Sequence, residues 1–375
     1  MQSSRRIALA CAAAAVAVCG AAAAAVLSVN DGEVSALVRV SEADAIAPLA
    51  READPDFVLV HPQAHYDGVY FYAIARDPFA RGEAHELIDR SAYRYGHPGY
   101  GWLAGLLSFG SAAAVPGALL FVSLVCVAVA AFTISLLAAE LGWSRWSGLI
   151  VAFSPGILFA ITADTSEPTA IAAASLALLA WTRRRWTLAG LALIAACLIK
   201  EPLLLIPAAL GLWEIVAWLR GRASPELYER LVAVAVGPLV FGGWYAYLRG
   251  TFGTWPFRAE AADFFTAPFI GWWDSIRRSA MLATGAYDQS QLGSAAVAIL
   301  AVVFAALVAG TIKAVRFRSW IDVLFLLYAV MLFCMNWLAL QYPKDLLREA
   351  VVPLLLLPAV LAGPPPAEGR PPPSG

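Results

Sequence analysis

Two acidic stretches and four histidines hold most of the side chains that could do chemistry in this chain of 375 residues. All the histidines (His61, His65, His85 and His97) fall between positions 29 and 98. There, HYDGVYFYAIARDPF (65–79) sets Asp67 ahead of Tyr70, Phe71 and Ile74, whose i, i+3, i+4, i+7 spacing gives one apolar helical face. Asp67 stands at the helix start, where a carboxylate is a natural N-cap. Spacing alone is satisfied by that cap on a short amphipathic helix lying on a membrane surface. The second stretch, LFAITADTSEPTAI (158–171), places Asp164 and Glu167 just before Pro168, a residue suited to the first turn of a helix. The plain role for Asp164 is a helix-end carboxylate near water. His61 and His65, with Asp67, His85 and His97, could supply nitrogen and oxygen ligands to a divalent metal. Pro62 keeps the first two off one regular helical turn, and no metal or other cofactor is expected.

The elements that must position these residues are membrane helices. The residues AVILMFWYC make up 61% of the chain and charged residues 14%, against about 25% charged in a soluble domain. Mean hydropathy is +0.70 and the formal net charge is -1, so no basic field exists to hold nucleic acid. Crossing a bilayer takes roughly 20 mainly apolar residues. About ten segments qualify or nearly do: 7–28, 117–139, 146–163, 168–182, 186–199, 203–219, 229–249, 291–312, 319–340 and 349–363. The expected fold is all-α, a polytopic transmembrane bundle over residues 1–363, with short interfacial helices in the first loop. The sequence 364–375 (PPPAEGRPPPSG) reads as a disordered Pro-rich tail.

Cations in short loops stay cytoplasmic. Here they sit at Arg5 and Arg6, Arg145, Arg183 to Arg185, Arg220 with Arg222 and Arg230, and Lys313 with Arg316 and Arg318, which makes every second loop basic. That alternation predicts a multi-pass protein of the plasma (inner) membrane with both termini cytoplasmic. It puts 29–98, 164–167, 200–202, 250–290 and 341–348 on the outer face. The glycine-interrupted segment 99–112 reads as interfacial or re-entrant, since counting it as a span would carry Arg183 to Arg185 outside. Phosphate-loop, H-E-x-x-H and G-x-S-x-G signatures are absent.

YDGVYFYAIARDPF resembles the first-loop signature of polytopic GT-C glycosyltransferases, especially the bacterial, PIG-V-like mannosyltransferase branch, in which an Asp precedes an aromatic-rich helix. Asp164 and Glu167 at the outer end of a span are similar to the second acidic motif of that superfamily. The likeness extends to the long first loop, the basic inner loops and LREAVVPLLLLP (347–358); no late-loop motif is found and 250–290 matches no family element.

The resemblance implies an enzyme that takes a sugar from a polyprenyl-phosphate donor and gives it to a glycan, lipid or protein acceptor. Asp67 would act as general base with inversion, and Asp164 would orient the acceptor or support that base. His65, Tyr66, Tyr70 and Glu167 would line the substrate site. The leaving phosphate calls for a cation at the outer interface, and Lys200, Lys344 and Arg348 are in position, with Arg348 first because a guanidinium grips two oxygens at once. For each cation the plainer role is an interfacial anchor, and for Lys200 an ion pair with Glu201. The competing functions are a transporter or flippase of lipid-linked saccharides and a noncatalytic envelope-assembly protein.

Overall fold

The computed structural model describes residues 2–222, 224–259, 264–284, 290–340 and 342–363. Among these the chain is all-helical, and isolated bridges at Ser41–Val60 and Phe265–Met335 are the only strand-like pairings. The tail expected at 364–375 lies outside the described residues.

Five helices are long and apolar enough to cross a membrane: Ser4–Leu27, Val115–Glu140, Glu201–Leu219, Leu227–Phe252 and Gly293–Ala314. Three shorter apolar helices, Trp186–Ile199, Trp320–Phe333 and Val351–Ala362, complete eight of the ten expected segments. The other two differ for local reasons. The run 146–163 is broken at Ser154-Pro155 into Leu149–Ala152 and Pro155–Ile161, because the residue before a proline disfavours the helical region. Glu167–Thr182 is continuous but has only 16 residues, about 24 Å at helical rise. Nearly every side chain along it is buried, so its Ala-rich sequence serves packing within the bundle.

The first loop departs most from expectation. Its Gly68–Arg76 helix does bury the face carrying Tyr70, Phe71 and Ile74, yet Tyr72 and Ala73 on the opposite face are also 0% exposed. It is a core element, packed with Tyr95, Tyr100, Leu119 and Trp244, and not an amphipathic helix on a surface. Spacing identified one buried face and had no means of seeing the second.

The segment read as interfacial or re-entrant holds the Gly99–Leu107 helix, whose nine residues span about 14 Å, too little to cross a bilayer. Its glycines let it lie directly on Gly68–Arg76. A Cβ at Gly101 would stand 2.6 Å from the Ile74 side chain, and one at Gly105 would stand 2.7 Å from the Ala75 carbonyl oxygen. This spacing of small residues at i, i+4 is what close helix approach requires.

Candidate functional site

Asp67 occupies the N-cap position but caps nothing, since its side chain makes no bond to the helix it precedes. Its carboxylate turns instead to arginines. Arg348 Nη1 donates to Asp67 Oδ2 at 3.0 Å, and Arg94 Nη1 lies 3.5 Å from Oδ1. Arg348 also donates through Nε to Glu167 Oε1 at 2.9 Å. Lys200 Nζ bonds the same Glu167 oxygen at 2.9 Å and Glu349 Oε1 at 3.0 Å. The result is one unbroken row of alternating charge: Arg94, Asp67, Arg348, Glu167, Lys200, Glu349.

Five pieces of backbone deliver the six members. Asp67 precedes the buried first-loop helix, Arg94 ends Ser91–Arg94, Glu167 opens Glu167–Thr182, Lys200 follows Trp186–Ile199, and Arg348 and Glu349 end Pro343–Glu349. The first-loop helix can reach the acidic turn at 163–167 because Gly68 has no side chain: a Cβ there would stand 2.5 Å from the Val38 carbonyl oxygen and 2.8 Å from that of Ala163.

Burial decides which plain roles survive. Arg348 is 9% exposed and Glu167 2%, so Arg348 is no anchor reaching for water. Lys200, paired with Glu167 and Glu349, does not take Glu201 as its partner; Glu201 instead accepts from His97 at 2.9 Å and from Tyr245 Oη at 3.1 Å. Asp67 remains 34% exposed. Burial pushes its carboxyl up, but the guanidinium of Arg348, then that of Arg94, outweighs this and holds it below the usual carboxylate range.

Tyr66 and Lys344 join the row from the side. Tyr66 Oη accepts from Arg348 Nη1 at 2.5 Å and donates to Asp345, and Lys344 Nζ sits 4.1 Å above the Tyr66 ring. A cavity of about 80 Å³ touches Asp67, Tyr70, Arg94, Lys200 and Arg348. A second cavity, of about 400 Å³, opens across Tyr70 and is lined by Asp44, His65, Val69, Glu86 and Asp89. His65 bonds Asp44 Oδ2 at 2.8 Å and Tyr70 Oη at 3.2 Å there, and is not in contact with Asp67 through any hydrogen bond. The histidines do not converge: His85 pairs with Asp77, His97 with Glu201, and His61 is exposed. Among the described residues no three His, Cys, Asp or Glu side chains gather as a metal group.

Asp164 stands apart. It is 0% exposed, neither carboxyl oxygen has a hydrogen-bond partner, and its backbone is left-handed with φ 44°. The nearby Arg39 is engaged with the Thr162 carbonyl oxygen at 3.1 and 3.3 Å. Burial raises this carboxyl well above the usual range, and Arg39 offsets only part of the rise. An unfolded Asp ionises near pH ~3.9. Above that point the unfolded chain gains an ionisation that the folded chain lacks, so stability falls with rising pH until the folded group ionises. Asp164→Asn should remove that slope. Its thermal unfolding midpoint is expected to equal wild type near pH ~4 and to exceed it at neutral pH; a wild type that is the more stable of the two at neutral pH would mean an ion-paired Asp164.

Arg94 and Glu349, both in the row, carry no sequence signal that singles them out. Glu349 is at least adjacent to Arg348, whereas Arg94 is found only in the structure, beside Asp67 and over the Tyr70 ring, 3.5 Å from the centroid. Comparison with protein-family models and with curated proteins gives no match for this chain.

Proposed function

We propose that the protein is an integral membrane glycosyltransferase that moves a sugar from a polyprenyl-phosphate donor to an acceptor hydroxyl on the outer face of the plasma (inner) membrane. The observation that carries this reading is Arg348, a nearly buried guanidinium held between Asp67 and Glu167 with Lys200 alongside. A guanidinium that grips two carboxylates has the geometry to grip two phosphate oxygens.

The row is charge-balanced and its Arg348 and Lys200 cations are already paired, so donor phosphate enters by taking the places of carboxylate oxygens on them. That exchange withdraws the cation that holds Asp67 in its weakly basic state. The acceptor oxygen then attacks the anomeric carbon, the bond from that carbon to the phosphate oxygen breaks, and its electron pair leaves with the phosphate. The hydroxyl proton passes to Asp67, and the configuration at the anomeric carbon inverts. The roughly 400 Å³ cavity across Tyr70 suits the acceptor. Its carboxylates Asp44, Glu86 and Asp89 favour a neutral, hydroxyl-rich molecule over an anionic one. Asp164, behind the site, acts through the turn that it shares with Glu167.

A transporter of lipid-linked saccharides is the second reading, favoured by the partnerless buried carboxyl of Asp164. Membranes containing the protein, given a radiolabelled polyprenyl-phosphate monosaccharide and a mixed acceptor pool, separate the two. A labelled, protein-dependent product with release of polyprenyl phosphate is the expected result. Protein-dependent translocation of intact donor lipid with no such product would replace the enzyme by the transporter.

A further inference from the structure

The largest cavity described in the molecule lies away from this site, at the other end of the Trp186–Ile199 helix. Lys200 follows the last residue of that helix, whereas the cavity has its charged mouth at the first turn and runs along the helix as far as Ile194. The helix's fourteen residues put that mouth about 21 Å from Lys200. The cavity measures about 1250 Å³, more than the roughly 300–1,000 Å³ of ordinary small-molecule pockets. Its walls are aliphatic and aromatic, from Phe132, Leu179, Leu191, Ile194, Val232 and Val236 on four different helices. It is open sideways: Leu188 is 43% exposed, Leu191 59% and Val232 49%.

The mouth has the opposite character. The turn joining Glu167–Thr182 to Trp186–Ile199 consists of Arg183, Arg184 and Arg185 alone. Arg184 is left-handed at φ 56°, a position where glycine is the favoured residue, yet this turn keeps a third cation there. Arg183 is engaged by Glu140 at 2.8 Å, and Arg184 lies 3.7 Å from Glu226 and is 68% exposed. The Arg185 guanidinium is exposed and has no partner among the described residues. Tyr228 offers a phenol from the facing lip. Positions 183–185 and 220–230 together carry six arginines against two glutamates, or four when Glu140 and Glu214, the partners of Arg183 and Arg230, are included. Glu229 lines the same rim, so the exposed guanidinium groups of Arg184 and Arg185, not the total charge, are the cations available at the mouth.

We infer that this groove holds an anionic phospholipid, with its acyl chains between the Val115–Glu140, Trp186–Ile199 and Leu227–Phe252 helices and its phosphate on Arg184 and Arg185. An aliphatic slot that opens laterally and ends in two exposed guanidinium groups, Arg185 without a partner and Arg184 with only the outlying Glu226, matches a lipid in both halves, and a basic pocket between helices is where an anionic headgroup gains most. The inference does not depend on the chemistry proposed for the Arg348 site.

Native mass spectrometry of the detergent-purified full chain, titrated with palmitoyl-oleoyl phosphatidylglycerol or with phosphatidylcholine of the same chains, tests it. Wild type is expected to prefer the glycerol lipid by about 25-fold, roughly fivefold for each of the two arginines. Arg184→Gln with Arg185→Gln should bring the preference to within about twofold, and Leu191→Trp, which fills the slot, should weaken both lipids. Equal affinity of wild type for the two lipids, or a preference that survives the double substitution, overturns the anionic-headgroup site on Arg184 and Arg185. Unchanged binding in Leu191→Trp overturns the groove in favour of lipid held on the outer surface.

Discussion

Arg348→Met is expected to lower stability by about 3 kcal/mol and to abolish sugar transfer. Breaking a buried ion pair by removing one partner typically costs about 3–5 kcal/mol, because the remaining charge is left uncompensated in a poorly solvating interior. The lower figure applies because both stranded acids keep a second cation: Glu167 keeps Lys200 and Asp67 keeps Arg94. Methionine fills much of the same volume, so the loss reports on charge more than on a cavity. Adding Glu167→Gln removes one of the stranded charges and should recover part of the stability while transfer stays lost, since the phosphate grip is still missing. Thermal unfolding in detergent measures the first effect and the labelled-donor assay the second. A single variant less than about 1 kcal/mol below wild type would mean that the row is solvated and that Arg348 is a surface residue in all but appearance.

Asp67→Asn is the second large effect, with the opposite signature: transfer falls by about 10²–10⁴-fold and the fold is kept. The amide oxygen can still accept from Arg348, so packing and most of the row persist, while the group loses its ability to take a proton. Purified variant and wild type should unfold at similar temperatures, and rates near wild type in the variant would remove Asp67 as the base. The pH profile adds a signed test. Asp67 must be ionised to act, so the rate falls as pH drops through its pKa. In the free enzyme Arg348 and Arg94 hold that pKa below the usual range. With donor phosphate on Arg348 the restraint is relieved. The acidic limb of kcat should therefore lie at higher pH than that of kcat/KM, which reports the free enzyme. Coincident limbs would show that phosphate leaves the Asp67 pair untouched.

The all-helical architecture was legible because apolar runs announce themselves, and charged turns punctuate them. Where the reading failed, the missing information was three-dimensional. The sequence around Asp67 showed a helix with one apolar face, but the chain buries both: Gly101 and Gly105 let a second helix lie on the Phe71 and Ile74 side, and Tyr72 packs against Phe57. Lys200 next to Glu201 suggested a local pair, yet the backbone after Trp186–Ile199 sends the two side chains to different partners. Arg94 and Glu349 could not be singled out, because nothing in their neighbourhoods distinguishes them from ordinary polar positions. Asp164 and Asp67 looked like equivalent acids at span ends. Only the fold separates a half-open carboxylate between arginines from one sealed away without a partner.

The row of alternating charges also has a temporal meaning. Its bonds join residues 281, 181, 33 and 149 positions apart, so none can form from local chain motion. Contacts of such long range wait until loop-closure entropy has been met by other packing. The helices must already be side by side before Arg348 can meet Asp67, and the row therefore closes last. Interactions that are absent from the folding transition state act on the escape rate, not on the arrival rate. Loss of Arg348 would thus appear as faster unfolding with refolding unchanged, which makes the candidate site the latch that sets how long the assembled bundle lives.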